Sequence, residues 1–417
     1  MRIPSKNILI PWSVVVLLFF ATALSFLDRQ VLSFAIIRIK DDINISDIDY
    51  SRINAAFITG YAIMFTMGGI IIDKFGTRIG LGFSVLLWSV ASAFHSMANS
   101  AAHFGIFRFF LGIGEGAAFP GAIKSVIEWI PLKKRAMATG IAIGGAAIGA
   151  VVAPLLVLSL LDTAGWRIIF IMTGGIGIIW TCIWFILLRK GNDIYRIKEE
   201  VVVQTNGELS PGHVNSFSIK EILKTRSVWI FILMRILFDP ILYFLMFWTP
   251  KFLNEYRGMS LSEISSYLWL PYLVMGLSNI LGGIISDKIV AKTSNINFAR
   301  KSVMGIAMLL TFSVMSVQYI SSPPVVIAII SLFFFAHGLW ITNYVTSIGD
   351  IFGHKSTSTI VGLSGTAGAL SGTITSIVIG WVVTRFSYDP LWIWAGLMYP
   401  VAYILFIVFI PVIRKRS

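Results

Sequence analysis

Gly68-Gly69-Ile70-Ile71-Ile72-Asp73-Lys74 recurs about 214 residues later as Gly282-Gly283-Ile284-Ile285-Ser286-Asp287-Lys288. Each copy closes a long apolar run. A second echo sets Gly140, Gly144, Gly145 and Gly149 against Gly362, Gly365, Gly368 and Gly372. Two echoes at nearly the same offset point to a duplicated chain. Parallel six-helix repeats of this kind place a substrate site between the halves, near the bilayer midplane.

The 417 residues are 56% hydrophobic and 13% charged, whereas soluble domains carry about 25% charged residues. Apolar runs of about 20 residues, each able to cross a ~30 Å hydrocarbon core, recur along the chain. Spans are expected near 10–36, 50–72, 79–98, 102–124, 136–160, 167–188, 228–251, 264–286, 302–320, 324–347, 359–384 and 390–413. The expected fold is an all-α membrane protein of twelve transmembrane helices in two pseudo-symmetric six-helix bundles. Residues 1–188 form the first bundle, 189–226 a cytoplasmic linker and 227–417 the second. The linker ends in Ser218-Ile219-Lys220-Glu221, the form of a capping box opening a short helix. The first apolar run is too long for a signal-peptide core and is read as a retained span.

The net charge of +13 follows the positive-inside bias, because most Lys and Arg fall in the termini and alternate loops of one side. Both termini (Arg2, Lys6; Arg414, Lys415, Arg416) are therefore expected in the cytoplasm, and no nucleic-acid partner is needed to explain the charge. The expected location is a bacterial inner membrane, in contact with lipid, as a monomer. The single cysteine, Cys182, excludes an intrachain disulfide and any Cys-based metal site. The histidines lie far apart, so no metal is expected, and no cofactor either. No phosphate-binding Gly-x-x-x-x-Gly-Lys loop suggests an ATP-driven pump. Nothing in the pattern resembles a catalytic constellation, so an enzyme is not expected. Asn44-Ile45-Ser46 fits a glycosylation triplet, but such triplets are common.

The informative residues are charges inside apolar runs: Asp28, Arg29, Arg108, Glu115, Lys124, Arg235 and Asp239. Each costs roughly 2.5–3.5 kcal/mol at a helix centre on insertion scales, which marks it as a functional candidate. Arg108 and Glu115 share one helix face about 10 Å apart. With Asp28 and Arg29 they sum to zero while both acids are ionised. Protonating either acid leaves net positive charge, which an incoming carboxylate requires. Asp28 and Glu115 are thus candidate proton-coupling acids, and Arg29, alone or with Arg108, the candidate carboxylate anchor. Buried ion bridges between the first and fourth helices are the alternative. Arg235 and Asp239, four residues apart, are a possible ion pair.

Gly69-x-x-x-Asp73-Lys74-x-Gly76-x-Arg78 resembles the loop 2–3 signature of the major facilitator superfamily. Arg108 and the Gly-rich fifth span ending at Pro154 resemble its other signatures. Leu27-Asp28-Arg29, Arg108-Phe109-x-Leu111-Gly112-x-x-Glu115-x-x-x-Phe119-Pro120 and Glu128-Trp129-x-Pro131-x-x-Lys134-Arg135 are similar to the anion:cation symporter branch. In D-galactonate carriers of that branch, the matching positions imply coupling and binding roles for Asp28, Arg29, Arg108 and Glu115, and a substrate-facing role for Tyr61. Phe26 stands where those carriers have a tyrosine, which removes one hydroxyl. Arg235-x-x-x-Asp239-Pro240, Phe247-Trp248-x-Pro250-Lys251-Phe252 and Ala336-His337-x-x-Trp340-x-x-Asn343 are similar to hexuronate carriers.

The resemblance implies a proton-coupled symporter that imports a hexuronate such as galacturonate or glucuronate, or an aldonate, by alternating access. Trp248, His337, Trp340 and Asn343 are then expected to read hydroxyls. Trp248 as an interfacial anchor and His337 bonded to a backbone carbonyl are the alternatives. Another small organic monocarboxylate, or sodium in place of the proton, also fits. Asp73, Lys74, Arg78 and Arg135, with Asp287 in the second half, are expected to gate the cytoplasmic end through ion pairs at helix termini.

Overall fold

The computed structural model describes residues 9–130, 132–189 and 219–413. Helix α1 spans Leu9–Asp42 and α2 spans Asp47–Phe94. The Asn44-Ile45-Ser46 triplet serves here as a helix start. Ser46 accepts from the Asp49 amide and Asp49 returns a bond to Ser46, a reciprocal cap on α2. The range of α2 contains a break at Gly76, whose φ of 77° and ψ of 161° are not helical and where the chain reverses. A side chain at Gly80 would stand 2.9 Å from Ile72, eight residues back. Thus α2 holds the second and third spans. The fourth span is broken at Ala117 into α3 (Ala101–Gly116) and α4 (Ala118–Trp129). Pro120 removes the amide that would bond Gly116, and the break falls there.

Helix α5 (Leu132–Leu161) carries Pro154 near its end, and α6 (Trp166–Leu187) follows Gly165. The short α7 (Ile219–Lys224) leads into α8 (Arg226–Lys251), which continues as a π turn over Phe252–Tyr256. Ser218, the expected cap of α7, lies outside the described residues, as does most of the 189–226 linker. Then come α9 (Leu261–Tyr267), α10 (Trp269–Thr293), α11 (Ile296–Thr311), α12 (Pro323–Phe386) and α13 (Asp389–Phe409). Straight, the 64 residues of α12 would run about 96 Å. Yet a side chain at Gly349 would stand 3.8 Å from Thr357 Oγ1, eight residues on. The chain therefore doubles back there, and α12 holds the tenth and eleventh spans. The separate spans expected at both reversals are present: Lys74–Met97 forms the third, and Pro323–Phe352 and Thr359–Phe386 form the tenth and eleventh.

Eleven stretches among the described residues are long and apolar enough to cross a membrane. The uncharged run 54–72 of α2 supplies the twelfth. Large apolar side chains such as Ile70, Phe83, Ile179, Ile280, Ile374 and Val408 stand exposed, as a lipid-facing wall requires. Glycines set the closest approaches. A side chain at Gly145 or Gly149 would collide with the Phe19 or Ala23 carbonyl of α1, whereas at Gly140 and Gly144 it meets nothing within 4 Å. Only the later half of that ladder packs helices together.

Gly149→Val is expected to lower the melting temperature of the detergent-purified chain by several degrees, since overpacking costs about 1–3 kcal/mol. Gly144→Ala is expected to leave it unchanged or raise it slightly. Equal melting of the two variants would contradict the packing.

Candidate functional site

Asp28 and Arg29 leave α1 as neighbours, about 100° apart around the helix, so they reach different partners. Arg29 donates Nε and Nη2 to Glu115 Oε2 at 3.1 and 2.9 Å, joining α1 to the last turn of α3. Asp28 turns instead towards α2 and α6. Its Oδ1 accepts from Ser92 Oγ at 3.0 Å, and Ser92 lies 3.0 Å from Thr173 Oγ1. Arg108 donates Nη1 to the Arg29 carbonyl at 3.1 Å. Both guanidinium groups lie near the Phe57 ring, at 5.3 and 5.5 Å. The four charges predicted from sequence thus meet in one buried cluster, all at most 5% exposed.

The cluster is neutral when fully ionised, but its hydrogen bonding is incomplete. Asp28 Oδ2, Glu115 Oε1 and Arg108 Nε and Nη2 are buried without a protein partner. So are Ser25 Oγ, Gln30 Oε1, Ser33 Oγ and Asn54 Nδ2 on α1 and α2. Buried polar groups are normally paired, and orphans of this kind call for water, ion or ligand. Sequence reading missed Ser25, Gln30, Ser33, Asn54, Ser92 and Thr173. Only Gln30 and Asn54, polar in apolar runs, gave any signal.

Aromatic rings wall the Arg29 guanidinium. Phe26 lies 4.6 Å and Tyr61 4.7 Å from its carbon, a favourable placement for a cation over π faces. Phe26 thereby keeps the ring of the expected tyrosine without its hydroxyl. In the second half, Arg235 and Asp239 do form an ion pair, at 2.6 Å. The other expected hydroxyl readers are covered by protein in this conformation. Trp248 is 1% exposed and packs edge-on to Tyr50. Trp340 is fully buried among Phe238, Tyr399 and Tyr403. His337 lies 2.6 Å from the Tyr399 hydroxyl, not a backbone carbonyl. Asn343 donates to the Gly282 and Leu339 carbonyls.

Of the expected gating residues, the side chains of Asp73 and Arg135 lie outside the described residues. Lys74 is exposed over Phe75, and the Arg78 carbonyl accepts from Trp184 Nε1. Asp287 is 3.3 Å from Arg300, which also pairs with Asp350. A different charged cluster, which the sequence did not single out, joins the two halves at the opposite end. Lys251, 1% exposed at the end of α8, lies 2.7 Å from Asp47 at the start of α2. Glu255 in the π turn pairs with both Lys251 and Lys40 of α1, the latter at 2.8 Å. Below this ring, Tyr50 donates to the Phe247 carbonyl and Ser376 to the Ser51 carbonyl. Thr59 and Thr373 stand 3.3 Å apart further down. Beyond the contact of Gly365 with Phe65, side chains at Gly69, Gly140 and Gly362 would meet nothing within 4 Å. The seam is closed at the Asp47 end.

The family description Major Facilitator Superfamily matches residues 18–376. The chain belongs to the major facilitator superfamily. This multi-pass membrane transporter is 29% identical over 386 residues to the hexuronate transporter of Escherichia coli strain K12, covering 91% of this chain and 89% of that one. It is 27% identical over 426 residues to a probable galactarate/D-glucarate transporter of the same strain, covering 96% and 94%. Among solved structures, a bacterial homolog of the human lysosomal transporter Spinster, inward-facing and unoccupied, superposes with a TM-score of 0.75. It covers 97% of this chain and 96% of its own at 18% identity, and so speaks to the fold of this major facilitator alone.

In a Cys182→Ser background, a cysteine placed at Ser376, 4% exposed, is expected to resist a membrane-impermeant maleimide. Adding Lys251→Ala removes the cation between two carboxylates and is expected to raise labelling several-fold. Unchanged labelling would mean that the ring does not hold this end shut.

Proposed function

We propose that the chain is a proton-coupled symporter that imports a sugar acid, a hexuronate such as galacturonate or an aldonate, by alternating access. The observation that carries it is the buried Arg29–Glu115 pair beside unpaired oxygens of Asp28 and Glu115. A carboxylate substrate can displace Glu115 from Arg29 only if the Glu115 charge disappears, because a buried acid left without its counter-charge is strongly unfavourable. Protonation does this. One negative charge leaves as another arrives, and neutrality is kept throughout. Asp28, held by Ser92 beside Arg108, is the second proton-accepting group in this scheme. Arg29, Tyr61 and Arg108 contact the substrate, with Trp248, His337, Trp340 and Asn343 backing the opposite wall.

The names of the relatives support a sugar acid. The seam supports an inward-open state, closed at the Asp47 end and open towards Gly69 and Gly362. On this reading Lys40, Asp47, Lys251 and Glu255 form the outer gate. The cytoplasmic set of Asp73, Lys74, Arg78, Arg135 and Asp287 closes the other end in turn. The reading includes domain bounds of 1–188, 189–226 and 227–417, cytoplasmic termini, a bacterial inner membrane and a monomer.

The test uses the purified chain in liposomes with labelled galacturonate. An inward proton gradient is expected to drive accumulation, and uptake is expected to fall as the outside pH rises and that gradient collapses. Glu115→Gln and Asp28→Asn are expected to lose accumulation while keeping substrate exchange. Accumulation that follows sodium, or persists in both variants, would sink the coupling.

A further inference from the structure

Arg235 and Asp239 lie one turn apart on α8 and meet through Nε and Oδ2 at 2.6 Å. Two features separate this pair from Arg29–Glu115. Its side chains are 18% and 8% exposed, against 6% and 0% for the first pair. Its one bond engages Nε alone, where Arg29 also uses Nη2, so both terminal nitrogens of Arg235 lie outside it. A pair serving only to tie helices together would bridge two of them, whereas this one is contained within α8.

A glycine lets the facing helix, α12, come close to the pair. A side chain at Gly368 would collide with Asp239 Oδ2 and stand 2.7 Å from Arg235 Cγ. One turn on, a side chain at Gly372 would stand 2.6 Å from the Tyr243 ring and 3.6 Å from Ile58 of α2. The Tyr243 phenol lies within electrostatic reach of Asp239, Tyr61, Arg29 and Arg235. Tyr61 lies within reach of Arg29 and Arg235 as well. Tyr61 thus stands over Arg29 at 4.7 Å, and Tyr243 lies one turn along α8 from Asp239, so each ion pair has a phenol beside it.

We propose that Arg235 and Asp239, seated against Gly368, read a vicinal pair of hydroxyls at the end of the substrate remote from its carboxylate. A planar donor fork beside a fixed acceptor matches a vicinal diol: one hydroxyl accepts from the guanidinium while its neighbour donates to the carboxylate. An acid without those hydroxyls leaves the pair unmatched, and sites built to bond a hydroxyl reject analogues that lack it. This subsite rests on the reading of Arg29 as carboxylate anchor and assigns selectivity among acids to the second half.

Equilibrium binding to the full chain in detergent tests it, with galacturonate and cyclohexanecarboxylate, a six-membered-ring acid without hydroxyls. The parent is expected to prefer galacturonate by about 100-fold or more. Asp239→Asn, Gly368→Ala and Arg235→Lys, which keeps the charge but not the fork, are each expected to narrow that ratio about tenfold. The narrowing should come from weaker galacturonate binding alone, in variants whose melting temperatures show them folded. Equal affinity for the two acids in the parent, or an unaltered ratio in the folded variants, overturns the subsite. A parent that binds no sugar acid defeats the anchor reading itself, which distinguishes the two failures.

Discussion

A guanidinium and a carboxylate buried in hydrocarbon have no solvent to fall back on, so each must find its counter-charge within the protein. Arg29 and Glu115 do so across α1 and α3, and much of the first half is arranged around that meeting. Gly145 and Gly149 let α5 lie against the α1 backbone, with Thr22 donating to the Ala142 carbonyl at 2.6 Å. The fourth span breaks at Ala117, two residues after Glu115, which ends α3 just beyond its acid. Arg108 is anchored on the Arg29 carbonyl, so the second cation is fixed without using the first one's partner. The cluster is balanced in charge but unsaturated in hydrogen bonds. A saturated network would be a structural rivet; an unsaturated one has places for a proton and an anion.

The seam between the halves adds a second requirement, that closure be reversible. Exposed ion pairs contribute little singly, roughly 0–1 kcal/mol, and Asp47 and Glu255 are 23% and 36% exposed. Lys251 is the exception at 1%. Both carboxylates face it here, so its desolvation is compensated in this arrangement. Weak pairs around one buried cation suit a contact that must form and break. The hydroxyl bonds of Tyr50 and Ser376 to facing carbonyls have the same character.

The sequence showed what stood out against its surroundings. Asp28, Arg29, Arg108 and Glu115 were legible because a charge in an apolar run is expensive and rare. A bridge between the first and fourth helices was one of the two readings open, and Arg29–Glu115 is such a bridge; that Asp28 turns away to Ser92 was not legible. Lys40, Asp47, Lys251 and Glu255 carried no signal, since charges at span ends are ordinary. Ser92 and Thr173 were hidden because hydroxyls commonly bond their own helix. The glycine ladders were visible as patterns, but which glycines pack and which face open space depends on the tilt between halves. The chain reversals in α2 and α12 were expected as loops. In α2 the turn is made at Gly76, whose positive φ breaks the helical run and whose missing side chain makes that conformation accessible.

Duplication gave both halves similar glycine ladders and loop signatures, yet their buried charges are arranged differently. In the first half the central pair bridges two helices and is sealed at 6% and 0% exposure; in the second it stays on one helix at 18% and 8%. A pair that bridges helices changes helix packing when its charge changes, which suits proton coupling. A pair contained in one helix leaves packing unaltered when it meets a ligand, which suits selection among acids. Gly368 fits that division. Its missing side chain gives α12 close approach to Asp239 without a bond to it, so the second half can hold a substrate's remote end while moving as a unit. The phenols of Tyr61 and Tyr243 then stand where the two functions meet, each within reach of both arginines. On the proposed reading, a substrate touching both pairs would tie the state of the first pair to what the second has accepted.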